Sequence, residues 1–145
     1  MPGITVGVDG SHHAQPALDW AVKEAGIRHA PLTVLTVHQV AANHWTGNPV
    51  VLPEDEAARE TAQQAAEAAA AKATEGLGEA QPASVTVRAV SGIAAQELIN
   101  ASRDADLVVV GSRGGGGFGE LVLGSVSTQV VHHAKCPVVI VPSHP

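Results

Sequence analysis

Fifteen residues, GSRGGGGFGELVLGS from Gly111 to Ser125, hold seven glycines and follow directly on the aliphatic run Leu107-Val108-Val109-Val110. Inside regular structure each glycine costs about 0.5–1 kcal/mol relative to alanine, so the stretch reads as neither helix nor strand interior. What glycine offers chemically is a bare backbone, free to take positive φ and to approach a phosphate with no Cβ in the way. Successive backbone N–H groups and a helix N-terminus then supply a positive field for the anion. Gly124-Ser125 stands where a helix would begin, in reach of the outer phosphates of a nucleotide. Arg113 is the one cation of the stretch, placed either on phosphate or in solvent.

Two familiar phosphate loops are excluded. A Walker loop requires Gly-Lys-Ser/Thr, and here Gly124 is followed by Ser125 with no lysine between them. The dinucleotide fingerprint belongs after the first strand, where this chain has Val8-Asp9-Gly10-Ser11 instead. Glycine content alone fits a solvated connection equally well. Asp9 has two readings as well, a ligand-binding acid or the cap of the turn or helix that follows. For Ser125, capping a helix and binding phosphate use the same geometry and do not compete.

The elements that must position these residues are legible as five aliphatic runs: ITVGVD, LTVLTVH, ASVTVRAV, DLVVVGS and CPVVIV. Their length and β-branched content make them strands. Helical segments lie between them. From Gln15 to His29, Ala17, Ala21 and Ala25 form an i, i+4, i+8 stripe flanked by Leu18 and Val22. An alanine-rich helix is expected from Glu54 to about Glu75, with Glu54, Asp55 and Glu56 at its positive end and Gly76 as its stop. A third runs from about Ile93 to Arg103, with Ala94, Leu98 and Ala101 inward, and a fourth from about Ser125 to Lys135. This alternation predicts a doubly wound α/β domain with a parallel sheet, a three-layer sandwich occupying residues 1–145 as one domain. With one Phe, two Trp and no Tyr, aliphatic residues must fill the core, as in a sheet buried on both faces. In such sheets ligands bind beyond the carboxyl ends of strands, which is where Asp9 and Gly111 fall. The one long connection, Gln39 to Pro53, carries His44 and Trp45, which either cover a bound base or form an ordinary loop.

Composition removes several function classes. Fourteen acidic against eight basic residues give a net charge of −6, and no Lys/Arg cluster offers a nucleic-acid surface. No apolar run approaches the ~18 residues of a membrane span, and the start has no secretory pattern, so the cytoplasm is the expected compartment. The lone Cys136 has no internal partner for a disulfide and reads as a small buried hydrophobe. His12-His13 and His132-His133 are adjacent pairs, which diverge by about 100° on a helix and chelate poorly. No G-x-S-x-G elbow is present for acyl transfer. Without a lysine in the glycine stretch, rapid phosphoryl transfer lacks the charge it usually needs.

The spacing Gly111, two residues, Gly114, nine residues, Gly124-Ser125 resembles the G-x2-G-x9-G-[ST] signature of the nucleotide-binding universal stress proteins. VGVDGS, ALDWAVKEA, ADLVVVGSRG and LGSVSTQVVHHAKCPVVIV extend the resemblance over nearly the whole chain. The resemblance implies a strand order of 3-2-1-4-5 and a bound ATP bringing its own Mg²⁺. By position, Asp9 matches the acid on the adenine or ribose side, Val37 a residue touching adenine, and Val110 the apolar residue before the loop. Gly111, Gly114, Gly124 and Ser125 match the phosphate cradle, with Val126 and Ser127 behind it and Arg113 within it. The resemblance also implies a homodimer through the edge strand Pro137 to Val141, because relatives pair that strand across a two-fold axis. The chain departs from the family at His12-His13, where smaller or prolyl residues are common, and in the extra glycines Gly115 to Gly117.

Three functions follow as expectations. The first is a regulatory protein of the stress response that binds ATP with slow or no hydrolysis. The second is an interaction module of the same family that works as a homodimer without nucleotide. The third is an adenylyl-transfer enzyme of the pyrophosphatase-loop type, which VDGSHH resembles only superficially because the Ser-Gly-Gly-x-Asp-Ser pattern is missing.

Overall fold

The computed structural model describes residues 2–112 and 124–143. Five strands alternate with four helices: β1 (Ile4–Val8), α1 (Gln15–Arg28), β2 (Pro31–Gln39), α2 (Asp55–Thr74), β3 (Ser84–Gly92), α3 (Ala94–Ser102), β4 (Leu107–Gly111), α4 (Ser125–His133) and β5 (Val138–Val141). The strands form one parallel sheet in the order β3-β2-β1-β4-β5. Both the expected parallel α/β architecture and the expected order are therefore present.

The aliphatic strand runs follow from burial on both faces. Ile4 and Val6 of β1, Leu32 and Val34 of β2, and Leu107 and Val109 of β4 pack under α1 and α2. The intervening residues Leu35, Val108 and Val110 face the other way and pack with Leu98 of α3 and Val130 of α4. The α1 stripe behaves as its spacing predicts, with Ala17, Leu18, Ala21, Val22 and Ala25 all buried. Helix α2 begins one residue later than expected, with Glu54 as its N-cap, and Gly76 ends it at φ +74°. The fourth helix stops at His133, two residues short of the expected end, because Ala134 is already extended.

The two sheet edges differ. On β3, the Gln63 side chain of α2 donates from Nε2 to the Val87 carbonyl at 3.0 Å, and its Oε1 accepts from the Ala89 N–H at 2.8 Å. Arg59 Nη1 donates to the Ala89 carbonyl at 3.1 Å. These side chains make the bonds a neighbouring strand would make, and so occupy an edge that is otherwise a template for pairing. Among the described residues, no side chain makes such bonds to the backbone of Val138–Val141.

Candidate functional site

β1 and β4 lie side by side, yet the chain leaves β1 toward β2 and reaches β4 only from the other half of the sheet. Neighbouring connections therefore diverge at their carboxyl ends, which is where such sheets open a crevice. A cleft of about 570 Å³, open to solvent on one side, occupies this position.

The cleft is built from five elements among the described residues. Val8 and Asp9 enter from the end of β1, Leu35 and Val37 from β2, Val110 and Gly111 from β4, and Val126 and Ser127 from the first turn of α4. Ala94 and Leu98 of α3 close it opposite the sheet. Gly7, in the middle of β1, lets this wall approach, since a Cβ there would stand 2.9 Å from Leu98 Cδ2. A glycine inside a strand often marks such a close approach. The N-terminus of α3 is held by the side chain of Gln39, whose Oε1 accepts from the Ala94 N–H at 2.9 Å.

Six of the ten residues named from sequence, Asp9, Val37, Val110, Gly111, Val126 and Ser127, thus share one cleft. Gly124 and Ser125 stand beside it at the start of α4. Arg113 and Gly114, with Gly115 to Gly117, lie outside the described residues. Gly124, not Ser125, is the N-cap residue, Ser125 is the first helical position, and no side chain of the described residues caps the helix. Gly124 donates its N–H to the Ser112 carbonyl at 2.8 Å, and Ser127 Oγ donates to the Gly111 carbonyl at 2.5 Å. These two bonds pin the end of β4 to the start of α4. They leave the N–H groups of the first turn, which have no intrahelical partner, to face an anion.

Asp9 closes the turn that follows it and also stands on the cleft. Its Oδ1 accepts from the Ser11 N–H at 2.9 Å and from Ser11 Oγ at 2.6 Å, closing a turn around Gly10 at φ +81°. The same carboxylate borders the cleft. Leu35, Leu98 and Gly7 were not named as site residues, although Leu98 was placed inward and a glycine within a strand was a usable signal.

The long connection after β2 carries its own order. Ala42 and Pro49 form an antiparallel bridge, and the Asn43 side-chain oxygen accepts from the Trp45 and Thr46 N–H groups at 2.8 and 3.1 Å. His38 Nε2 and Asp55 Oδ1 lie 2.9 Å apart across its base, and Asp55 Oδ2 accepts from the Leu52 N–H at 2.7 Å. The Leu52 N–H first, and His38 second, hold the Asp55 carboxyl below its ordinary value. Trp45 is 94% exposed, and neither it nor His44 borders the cleft, so the ordinary-loop reading describes this arrangement.

Cys136 is half-buried rather than fully buried, and burial pushes its thiol above the usual value. His13 Nδ1 lies 3.0 Å from Ser143 Oγ. Among the described residues no helix is long and apolar enough to cross a membrane.

The model of the universal stress protein family matches residues 2–142. A universal stress protein of Mycolicibacterium smegmatis is 38% identical over 139 residues, which is 96% of this chain and 47% of that protein. The chain spans about half the length of the curated relatives it matches. Among solved structures, the universal stress protein UspA of Lactobacillus plantarum superposes with a TM-score of 0.70 at 26% identity, covering 97% of each chain. A universal stress protein solved in complex with cAMP superposes with a TM-score of 0.69 at 25% identity, covering 99% of this chain and 98% of its own.

Proposed function

The chain belongs to the universal stress protein family, and from that premise we propose that it is a nucleotide-binding regulatory protein of the stress response, taking ATP with slow or no hydrolysis. One observation carries the reading. Residues that the family motif marks on β1, β2, β4 and α4, far apart in sequence, converge on a single apolar-walled cleft.

The chemistry of the lining fits an adenine nucleotide. Val37, Leu35, Val110 and Leu98 offer an aliphatic slot for a flat base, and Asp9 offers a carboxylate to a ribose hydroxyl or the adenine amine. Gly111 stands beside the N-terminus of α4, whose dipole and first-turn N–H groups favour phosphate. Arg113 and Gly114 complete the proposed cradle. Mg²⁺ enters as the counter-ion of ATP, with Asp9 the only carboxylate on the cleft wall among the described residues. The relative crystallised with cAMP supports the adenine class. Slow turnover follows from the glycine stretch, where Arg113 is the sole cation and no lysine stands to stabilise a departing phosphoryl group. Occupancy then acts by shifting a conformational or oligomeric equilibrium.

A second reading, a homodimer that signals through its surface alone, draws on the unequal sheet edges. With β3 occupied by Gln63 and Arg59, β5 is the edge on which a second copy can add its own strand.

Both readings are tested together. The purified protein is denatured without added nucleotide, and any released small molecule is identified by chromatography. ATP and cAMP are then titrated into nucleotide-free wild type, Gly114→Glu and Gly124→Glu, with sedimentation velocity on the same samples. Saturable ATP binding lost in both variants supports the leading reading. A wild-type dimer that neither retains nor binds ATP at millimolar concentration replaces it with the interaction module. Rapid pyrophosphate release would point to adenylyl transfer instead.

A further inference from the structure

The wall of the cleft opposite the sheet is a short helix whose two ends are pinned by hydrogen bonds to distant parts of the chain. α3 presents Ala94 and Leu98, about one turn apart, to the cleft. Ile93, the residue before it, is extended at φ −107° and ψ 118°, and its side chain has no polar atom with which to cap the helix. Helices usually draw that acceptor from a Ser, Thr, Asp or Asn at this position. Here it comes from β2. Leu35, Val37 and Gln39 alternate along the strand and so share one face, and Leu35 and Val37 of this row line the cleft. Gln39 Oε1 accepts from the Ala94 N–H at 2.9 Å, while its Nε2 donates to the Val40 carbonyl at 3.2 Å. A side-chain amide that meets a donor at its oxygen and an acceptor at its nitrogen has one orientation only. The Val40 N–H in turn donates to the Gly92 carbonyl at 2.9 Å, and Gln39 pairs in register with Gly92. The end of β2, the end of β3 and the start of α3 are thereby tied at one point.

The other end of α3 is held independently. Ser102 is buried, donates from Oγ to the Ile99 carbonyl at 2.5 Å and accepts from the Lys135 N–H at 2.8 Å, beyond the end of α4. Roughly 12 Å of helix axis separates the two pins. Only the Gln39 pin lies at the end that faces the cleft.

We propose that Gln39 is a positioning residue of the nucleotide site: by holding Ala94 it sets the distance between α3 and β2, and with it the width of the slot for the base. The proposal rests on the nucleotide reading and adds to it a residue that the glycine signature does not include. An aliphatic slot grips a flat base through van der Waals contact on both faces, and a gap of about 0.5–1 Å already forfeits a quarter to a half of each contact. Val37 on one side and Ala94 with Leu98 on the other must therefore be fixed before the ligand arrives. A wall left loose would have to be ordered by the ligand, at the expense of affinity. The phosphates lie outside this slot, so Gln39 acts on the nucleoside part and equally on adenosine, AMP and ATP.

The test titrates the full chain with adenosine, AMP and ATP by calorimetry, in wild type, Gln39→Met, Gln39→Glu and Ser102→Ala. Gln39 is exposed, so neither replacement opens the core, and thermal unfolding checks that each variant is folded. Gln39→Met, nearly isosteric but without an acceptor, should weaken all three ligands by the same factor, roughly two- to tenfold. Gln39→Glu keeps an acceptor for Ala94 and should hold adenosine within about twofold of wild type. Ser102→Ala should lower the melting temperature yet leave adenosine within about twofold, because it loosens the end of α3 away from the cleft. In ¹H–¹⁵N and methyl ¹H–¹³C spectra without ligand, the Ala94 amide and Leu98 methyl signals should move in Gln39→Met and return toward wild type in Gln39→Glu. A wild type that binds neither adenosine nor ATP at millimolar concentration overturns the nucleotide reading, and this assignment with it. With wild-type binding intact, four results overturn the role of Gln39 alone. These are unchanged binding in Gln39→Met, equal weakening in Gln39→Met and Gln39→Glu, equal weakening in Gln39→Met and Ser102→Ala, or a loss confined to ATP.

Discussion

Gly7→Ala tests the cleft wall most sharply, because its sign should depend on a second residue. The added Cβ would lie 2.9 Å from Leu98 Cδ2 and 3.1 Å from Cδ1. Carbon atoms pack best at about 3.5–4.0 Å, so each methyl must withdraw by roughly 0.5–1 Å. Leu98 is 4% exposed, and the space beside it is the cleft itself. Overpacking costs about 1–3 kcal/mol, and replacing glycine returns about 0.4–1 kcal/mol through the unfolded chain. The variant should therefore lose about 0.5–2 kcal/mol net. Leu98→Ala alone should cost about 2–5 kcal/mol as a large-to-small core change. In that background the clash is gone and only the entropic gain remains, so Gly7→Ala should stabilise by about 0.4–1 kcal/mol. Urea unfolding of wild type, both single variants and the double variant measures the coupling, expected at about 1–3 kcal/mol. Displaced Leu98 methyls would also narrow the slot, weakening ATP by several-fold in Gly7→Ala. An identical stability cost in both backgrounds would refute the contact and the wall it forms.

Gln63→Ala removes two part-buried hydrogen bonds from β3 and should cost about 1–3 kcal/mol in urea unfolding. The same variant bares an edge, so sedimentation should show new concentration-dependent association, and its absence would mean that Gln63 guards nothing. Asp55 carries a depressed folded pKa, so it adds stability above its unfolded value near ~3.9 that is lost as pH falls through the lower folded value. The stability difference between wild type and Asp55→Asn should therefore shrink below about pH 5, and a difference unchanged down to pH 2 would contradict the assignment. Cys136, with its thiol pushed up by burial, should react with a disulfide reagent at pH 7.5 well below the rate of glutathione and accelerate in denaturant. Ser127→Ala should lower stability by about 0.5–1.5 kcal/mol while weakening ATP less than Gly124→Glu does, because its hydroxyl is committed to the Gly111 carbonyl.

The sheet was legible because a parallel strand buried on both faces has nowhere to place a polar side chain, and Val108-Val109-Val110 announces that directly. Helix α1 was legible for a related reason, since its alanine stripe matches the period of the helix and nothing else. The polar closures were not. Gln63 stands in an alanine-rich helix and looks solvated, but its partners are 24 and 26 residues away on β3. Gln39 caps α3 across 55 residues, and no local pattern encodes such a bond. Leu98 was read as core because inward-facing leucine has the same sequence signature whether it meets another side chain or an empty slot.

The proposed phosphate cradle shows the same division at its most consequential point. The family resemblance grouped Gly111, Gly114, Gly124 and Ser125 as the cradle with Val126 and Ser127 behind it, and of these Gly111 ends β4 while Gly124 and Ser125 stand at the start of α4. The hydroxyl chemistry of the group is another matter. Ser127 gives its hydroxyl to the Gly111 carbonyl, which turns that carbonyl away from being a naked negative dipole facing an incoming phosphate. Gly124 likewise gives its N–H to the Ser112 carbonyl and, having no side chain, cannot itself cap the helix. The protein thereby removes acceptors that would repel an anion and keeps donors that attract one. Under the proposed function such an end favours holding a phosphate over moving it, since it offers oriented dipoles and the glycine stretch has no lysine. The proposed regulatory role needs that balance, because a ligand consumed on binding would erase the signal.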